Sequence, residues 1–205
     1  MDTDTIWRTV DEQRAQLADL LDTLRPDQWS TPSLCAGWTV REVAIHITQA
    51  HAGLGEFVRA ALKSGFRFNA MVRRAAQDDT ADPAAITTRL RAMVGSRKRP
   101  PMTKELDPLM DILIHTQDIC VPLAIDRPMP TDAAVAVAQH LWHMKFPFAP
   151  QRDLPGYRFV ATDADFAVGP SWGAVREAPI GDIVMMFARR RDVPAAEPEG
   201  EPEDE

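Results

Sequence analysis

The stretch DPLMDILIHTQDICVPL, residues 107–123, decides how the chain is read. Asp107-Pro108 has the form of a helix N-cap followed by a first-turn proline, and Pro122 closes the segment. Between them Leu, Ile, Met, Val and Cys predominate, but Asp111, His115 and Asp118 interrupt the apolar run. At about 100° per residue these three fall near 0°, 40° and −20° on the helical wheel, so they share one narrow stripe. A surface helix turns its polar stripe to water and shows one apolar face opposite. Here apolar residues flank the stripe on both sides. That pattern predicts a helix embedded among others, with its polar stripe turned inward. Carboxylates placed there need donors or a cation, because leaving them unpaired is costly.

A partner for the stripe lies in GWTVREVAIHITQAH, residues 37–51. Thr39 followed by Glu42 reads as a capping box for a helix over about residues 40–63. With Val43 as origin, Val40, Ile47, Ala50, Leu54 and Phe57 fall within about 60° of it, and His46 falls at the edge of the same arc. His46 therefore points inward or nearly so. Two readings stand. In one, His46, Asp111 and His115 hold a divalent metal, with a position left open for water or substrate, as in catalytic zinc sites. In the other, His115 pairs with Asp111 or Asp118 and His46 bonds a carbonyl in a structural network.

Other reactive side chains offer less. His140 and His143 in HLWH stand three apart without a nearby carboxylate, and read as a partly exposed helix end. His51 lies off the His46 direction. Cys35 has no basic sequence neighbour to activate its thiol, and Cys120 reads as a core filler.

The same two helices set the architecture. Residues 4–24 carry Ile6, Val10, Leu17, Leu20, Leu21 and Leu24 at helical spacing up to Pro26. Turn-forming residues fill 26–38, and SGF at 64–66 marks a break before a helical segment at 67–78. Asp82-Pro83 opens another helix, SRKRPPMTKEL forms a basic loop, and Thr131 begins an Ala- and Val-rich helix to about Lys145. Long helices joined by loops predict a mainly α protein built on a four-helix bundle over residues 1–150. Beyond Pro150, YRFVATDADFAVG alternates like a hairpin turning at Thr162–Ala164, and WGAVRE suits a third strand. APIGDIVMMFARRR then returns to a helical pattern with a basic end. A small C-terminal α+β element over 151–192 is expected.

Composition narrows the function. The 205 residues carry a net charge of −7, but residues 192–205 hold seven acids and no base. Without them 23 bases meet 23 acids. This Pro- and Glu-rich tail, 193–205, has too little apolar surface to bury and is expected to be disordered. Two cysteines without paired spacing exclude a disulfide framework and a four-thiolate zinc site. No stretch approaches the roughly 18 apolar residues of a membrane span, and the first residues lack a signal-peptide pattern, so a cytoplasmic protein without a membrane partner is expected. Residues 59–104 hold eleven Lys or Arg and three Asp, which suits solvated helix faces or attraction of anionic substrates. No aromatic interleaving or nucleic-acid motif accompanies them, so nucleic acid is not an expected partner.

PSLCAGWTVREVAIHITQAH resembles the signature opening the second helix in the mycothiol-dependent maleylpyruvate isomerase family, of the DinB-like four-helix-bundle superfamily. DILIHTQDICVPLAI resembles that family's second signature, and RFVATDADFAVG its short C-terminal α+β element. The resemblance spans roughly residues 4–192. It implies a divalent metal, usually zinc, held at the positions of His46, Asp111 and His115. It also implies mycothiol as cosubstrate in an actinobacterial cytoplasm. The isomerase has glutamate where this chain has Asp111, one methylene shorter, so the ion would lie closer to that helix or the carboxylate would bind differently. Asp118 belongs to the recurring His-x-x-Asp pattern and is expected to orient His115 or a backbone turn. The implied function is a metal-dependent S-transferase or isomerase-like enzyme joining a small-molecule thiol to an electrophilic substrate. The alternative is a non-catalytic metal- or small-molecule-binding protein of the same fold.

Overall fold

The computed structural model describes residues 1–50, 68–99 and 103–194. The chain divides into two compact units, Met1–Ala133 and Ala134–Glu205. The sequence changes character at Pro150, whereas this division falls near the start of the helix that Thr131 begins. The expected remainder of the second helix to residue 63, the break at 64–66, His51 and the tail from 195 onward lie outside the described residues.

The first unit is helical. Helix α1 covers Thr3–Asp22, capped where the Asp2 carboxylate accepts from the Thr5 N–H. Helix α2 starts at Val40 and is described to Gln49. Its capping box forms in both directions: the Thr39 hydroxyl accepts from the Glu42 N–H, and the Glu42 carboxylate accepts from the Thr39 N–H. Helix α3 covers Phe68–Asp78 and α4 covers Pro83–Ala92, the latter capped by Asp82. Helix α5 covers Asp107–Cys120. Asp107 is not its N-cap, as the Asp-Pro pair suggested. It is the first helical residue, and its carboxylate accepts from the Lys104 N–H in the preceding turn.

Helices α1, α2, α4 and α5 close a four-membered ring, in which α1 packs on α4 and α5, and α2 packs on the same two. This is the four-helix bundle, with α3 laid against α2. Val10, Leu17, Leu21, Val43, Ile47, Ile86, Leu90, Leu109, Ile112 and Leu113 fill its core. The buried Arg14 donates to the Met93 and Ser96 carbonyls, at 2.9 and 3.0 Å, and so satisfies carbonyls at and just beyond the end of α4 from the neighbouring α1.

Helix α6, Thr131–Trp142, leads into the second unit, which continues with the short α7, Pro150–Asp153. Strands β1 (Tyr157–Ala161) and β2 (Ala167–Val168) form the expected antiparallel hairpin. Strand β3 (Ala174–Ala178) then lies parallel to β1 on its other side, giving the order β2-β1-β3. The connection crosses the start of β1 so closely that a Cβ at Gly169, which has φ +103°, would meet the Tyr157 carbonyl oxygen at 2.3 Å. Helix α8, Ile180–Phe187, packs on β1 and closes an aromatic cluster of Trp142, Phe159 and Phe187. The Asp163 carboxylate in the hairpin turn accepts from the Ile180 N–H at 2.7 Å and caps α8. The basic residues Arg189 to Arg191 lie beyond the last turn of α8 rather than within it. Among the described residues no helix is long and apolar enough to cross a membrane.

Candidate metal centre

Helices α2 and α5 pack side by side, and their contact determines what His46 meets. Asp111 and His115 stand one helical turn apart on α5, so both reach toward the same point on α2. The Asp111 Oδ1 atom lies 3.6 Å from the His46 Nε2 atom and 3.4 Å from the His115 Nε2 atom. The two imidazole rings stand edge to face with centroids 4.8 Å apart. One donor atom from each of the three residues falls within 4.8 Å of the others. The aspartate is therefore long enough to close the triangle, despite its missing methylene.

The group is neither sealed nor open. Side-chain exposure is 23% for His46, 31% for Asp111 and 14% for His115. Asp118, by contrast, is fully buried one turn further along α5. His115 Nδ1 lies 2.8 Å from Asp118 Oδ2. An ionised carboxylate only accepts, so the imidazole donates its Nδ1 proton there. The Nε2 atom is thereby left to face Asp111.

The loop before α2 completes the surroundings. Trp38 sets its ring edge to face with His46, centroids 5.5 Å apart. Cys35 donates its thiol proton to Asp118 Oδ2 at 3.0 Å, and its Sγ atom lies 3.9 Å from His115 Nδ1. Cys35 thus has the basic neighbour that its sequence surroundings lacked, supplied by a helix 80 residues later. The available signal was the placement of SLCAGW directly before the His46 helix. Cys120 is fully buried, and burial pushes its thiol up to about 11, in keeping with a core filler. His143 is exposed and meets Gln151 at 3.5 Å, and neither it nor His140 belongs to a potential metal-ligand cluster among the described residues.

Two sets of three potential ligands share His115, and their spacings differ in kind. Zinc bonds of about 2.0–2.2 Å at tetrahedral angles hold donor atoms roughly 3.3–3.6 Å apart. The separations of 3.4 and 3.6 Å around Asp111 suit that spacing, and are long for hydrogen bonds. The separations of 2.8 and 3.0 Å around Asp118 are those of charge-assisted hydrogen bonds. The residues present therefore fit a divalent ion at His46, Asp111 and His115, with Asp118 and Cys35 behind it.

Electrostatics fits the same division. Burial pulls the His115 imidazole pKa down, but the nearby Asp111 charge and the polar contacts with Asp111, Asp118 and Cys35 outweigh it and hold it well above its ordinary value. Burial pushes the Asp111 carboxyl up, yet His115 and then His46 outweigh this and hold it well below the usual carboxylate range. The site thus favours a positive charge between these groups, whether a proton or a metal ion.

The family model described as the mycothiol maleylpyruvate isomerase N-terminal domain matches residues 10–120. The chain belongs to this family. The matched span contains both site helices and the Cys35–Trp38 loop, and ends at the last residue of α5. No curated protein and no solved structure matches the chain. As a member of the mycothiol maleylpyruvate isomerase N-terminal domain family, the chain carries its His46, Asp111 and His115 cluster wholly inside the domain that defines the family.

Proposed function

We propose that the protein is a metal-dependent enzyme that uses a small thiol, mycothiol by the family's name, to attack an electrophilic substrate in S-transfer or isomerisation. The observation carrying this reading is the spacing of the His46, Asp111 and His115 donor atoms, which suits ligands of one ion. When bound there, a divalent ion such as zinc supplies Lewis acidity that makes a neighbouring thiol available as thiolate near neutral pH.

The chain's own residues supply the rest. His46 and His115 offer neutral Nε2 donors, and Asp111 offers one negative charge. With a divalent cation this set leaves one net positive charge, which favours an anionic fourth partner. Asp118 holds the His115 proton on Nδ1, so that Nε2 keeps its lone pair for the ion. Trp38 covers one edge of His46 and limits its ring rotation. The partial exposure of all three donors leaves a side from which small molecules can approach. A cytoplasmic, soluble location belongs to the same reading, since mycothiol is an intracellular thiol by the resemblance stated above.

The test begins with metal analysis of purified wild-type protein beside His46→Ala. About one equivalent of a divalent metal is expected in the first and a large loss in the second. Calorimetry with mycothiol on the metal-loaded protein, followed by an electrophile screen, then addresses the reaction. Thiol binding with turnover supports the enzyme. Thiol binding without turnover across a broad screen supports a binding protein of the same fold, and no thiol binding by metal-loaded protein removes the enzyme reading.

A further inference from the structure

Cys35 and Asp118 are both buried, and neither touches Asp111 or His46 in any hydrogen bond described above. Their contact is nevertheless specific. Asp118 Oδ2 accepts two hydrogen bonds at once, from His115 Nδ1–H at 2.8 Å and from the Cys35 thiol at 3.0 Å. The Leu34 N–H also donates to the backbone carbonyl of Asp118, at 3.2 Å. One short loop therefore grips this residue by its main chain and by its side chain.

That loop is itself tightly tied. The Ser33 N–H donates to the Trp38 carbonyl at 2.8 Å, and the Trp38 N–H donates to the Cys35 carbonyl at 2.9 Å. The Cys35 N–H donates to the Ser33 hydroxyl at 3.2 Å. Gly37 takes φ +76° within the turn, a conformation that glycine adopts without strain. The Val40 N–H donates to the Thr31 carbonyl at 2.9 Å and closes the loop at its base, just where the α2 capping box starts. The same turn thus presents Trp38 to His46 and Cys35 to the partner of His115.

We propose that Cys35 is a positioning residue: its thiol proton fixes the Asp118 carboxylate, which in turn orients His115 toward His46 and Asp111. The role for metal binding rests on the metal-centre reading above, whereas the role toward His115 does not. A carboxylate rotates about its own Cα–Cβ and Cβ–Cγ bonds, and one hydrogen bond from an imidazole leaves part of that freedom. A second donor to the same oxygen, carried by a rigid loop, removes it. A thiol suits this place because it donates one proton and otherwise packs as a small apolar group.

The test compares Cys35→Ala, which removes the donor, with Cys35→Ser, which keeps one. With zinc or cobalt as probe, Cys35→Ala is expected to weaken metal affinity by about 10–100-fold, the range found when outer partners of metal-bound histidines are lost. Cys35→Ser is expected to restore most of it. Equal loss in both variants would show that only the volume of the sulfur matters, and no loss in either would show no role; each overturns the proposal. A second readout needs no metal. In metal-free wild-type protein the His115 Nδ1 proton should give a downfield, slowly exchanging nuclear magnetic resonance signal. That signal should broaden in Cys35→Ala and return in Cys35→Ser, and its survival unchanged in Cys35→Ala would overturn the proposal. Absence of metal binding by the wild-type protein would instead overturn the metal-centre reading and leave this result to decide the part played by Cys35. If Cys35→Ala does not fold, the infrared S–H stretch of the wild-type protein decides, assigned by its loss in Cys35→Ser. A band displaced to low frequency marks a thiol donating to a carboxylate, and a band at the free-thiol position overturns the proposal.

Discussion

His115 divides its two nitrogens between two aspartates, and most of the site chemistry follows from that division. Asp118 takes the Nδ1 proton and Asp111 faces Nε2. In the metal-free protein the raised His115 pKa favours a proton on Nε2. An entering ion has to displace that proton. Metal affinity should therefore rise with pH, by about tenfold per unit while the pH lies below the raised His115 value, and level off above it. Calorimetry in buffers of different ionisation enthalpy should detect close to one proton released per ion at neutral pH; no release would contradict this picture. The metal-free stability has the matching sign. A group with a raised folded-state pKa stabilises the fold fully below its unfolded value, near 6.5, and that contribution fades as pH climbs through the folded value. The depressed Asp111 carboxyl contributes above about pH 4 and loses its contribution as pH falls toward its folded value. Asp111→Ala should abolish tight metal binding, since it removes the one charged donor. Asp118→Ala should act more mildly on affinity, by about 10–100-fold, and metal titrations of the two variants side by side check the ranking.

Helix α2 gives the clearest case of local sequence deciding a site. Thr39 and Glu42 form the capping box that starts it, and this start sets the rotation at which His46 leaves the helix. Thr39→Ala should cost about 1 kcal/mol of stability, read by chemical denaturation, through loss of the cap. The helix pattern of α1, α2 and α4, the Asp111/His115/Asp118 stripe of α5 and the β1–β2 hairpin were all legible because each rests on short-range periodicity or capping. The parallel pairing of β3 was not, because it joins residues far apart along the chain and local strand propensity does not specify it. The role of Asp107 was misread for a similar reason: its carboxylate bonds the Lys104 N–H in the preceding turn, and the helix boundary moved by one residue. The neighbours of Cys35 were also hidden. Nothing near it in sequence is basic, and only the packing of α5 brings His115 and Asp118 to its thiol.

Across the whole chain, charge is unevenly placed. The body is neutral in formal charge, and the acidic excess sits in residues 192–205. Truncation after Pro194 removes few apolar atoms and should leave the melting temperature nearly unchanged; a large fall would contradict the composition argument. Within the basic segment, Arg89, Arg91 and Arg97 pair with Asp79, Asp19 and Asp4. The family match lies within the first unit, which also holds the His46, Asp111 and His115 cluster proposed as the metal centre. The existence of that centre is tested most directly by crystals of the zinc-loaded protein and an anomalous difference map collected at the zinc edge. The account predicts one strong peak between His46 Nε2, Asp111 Oδ1 and His115 Nε2. A map without that peak, or with its only peak among Cys35, His115 Nδ1 and Asp118, would contradict it.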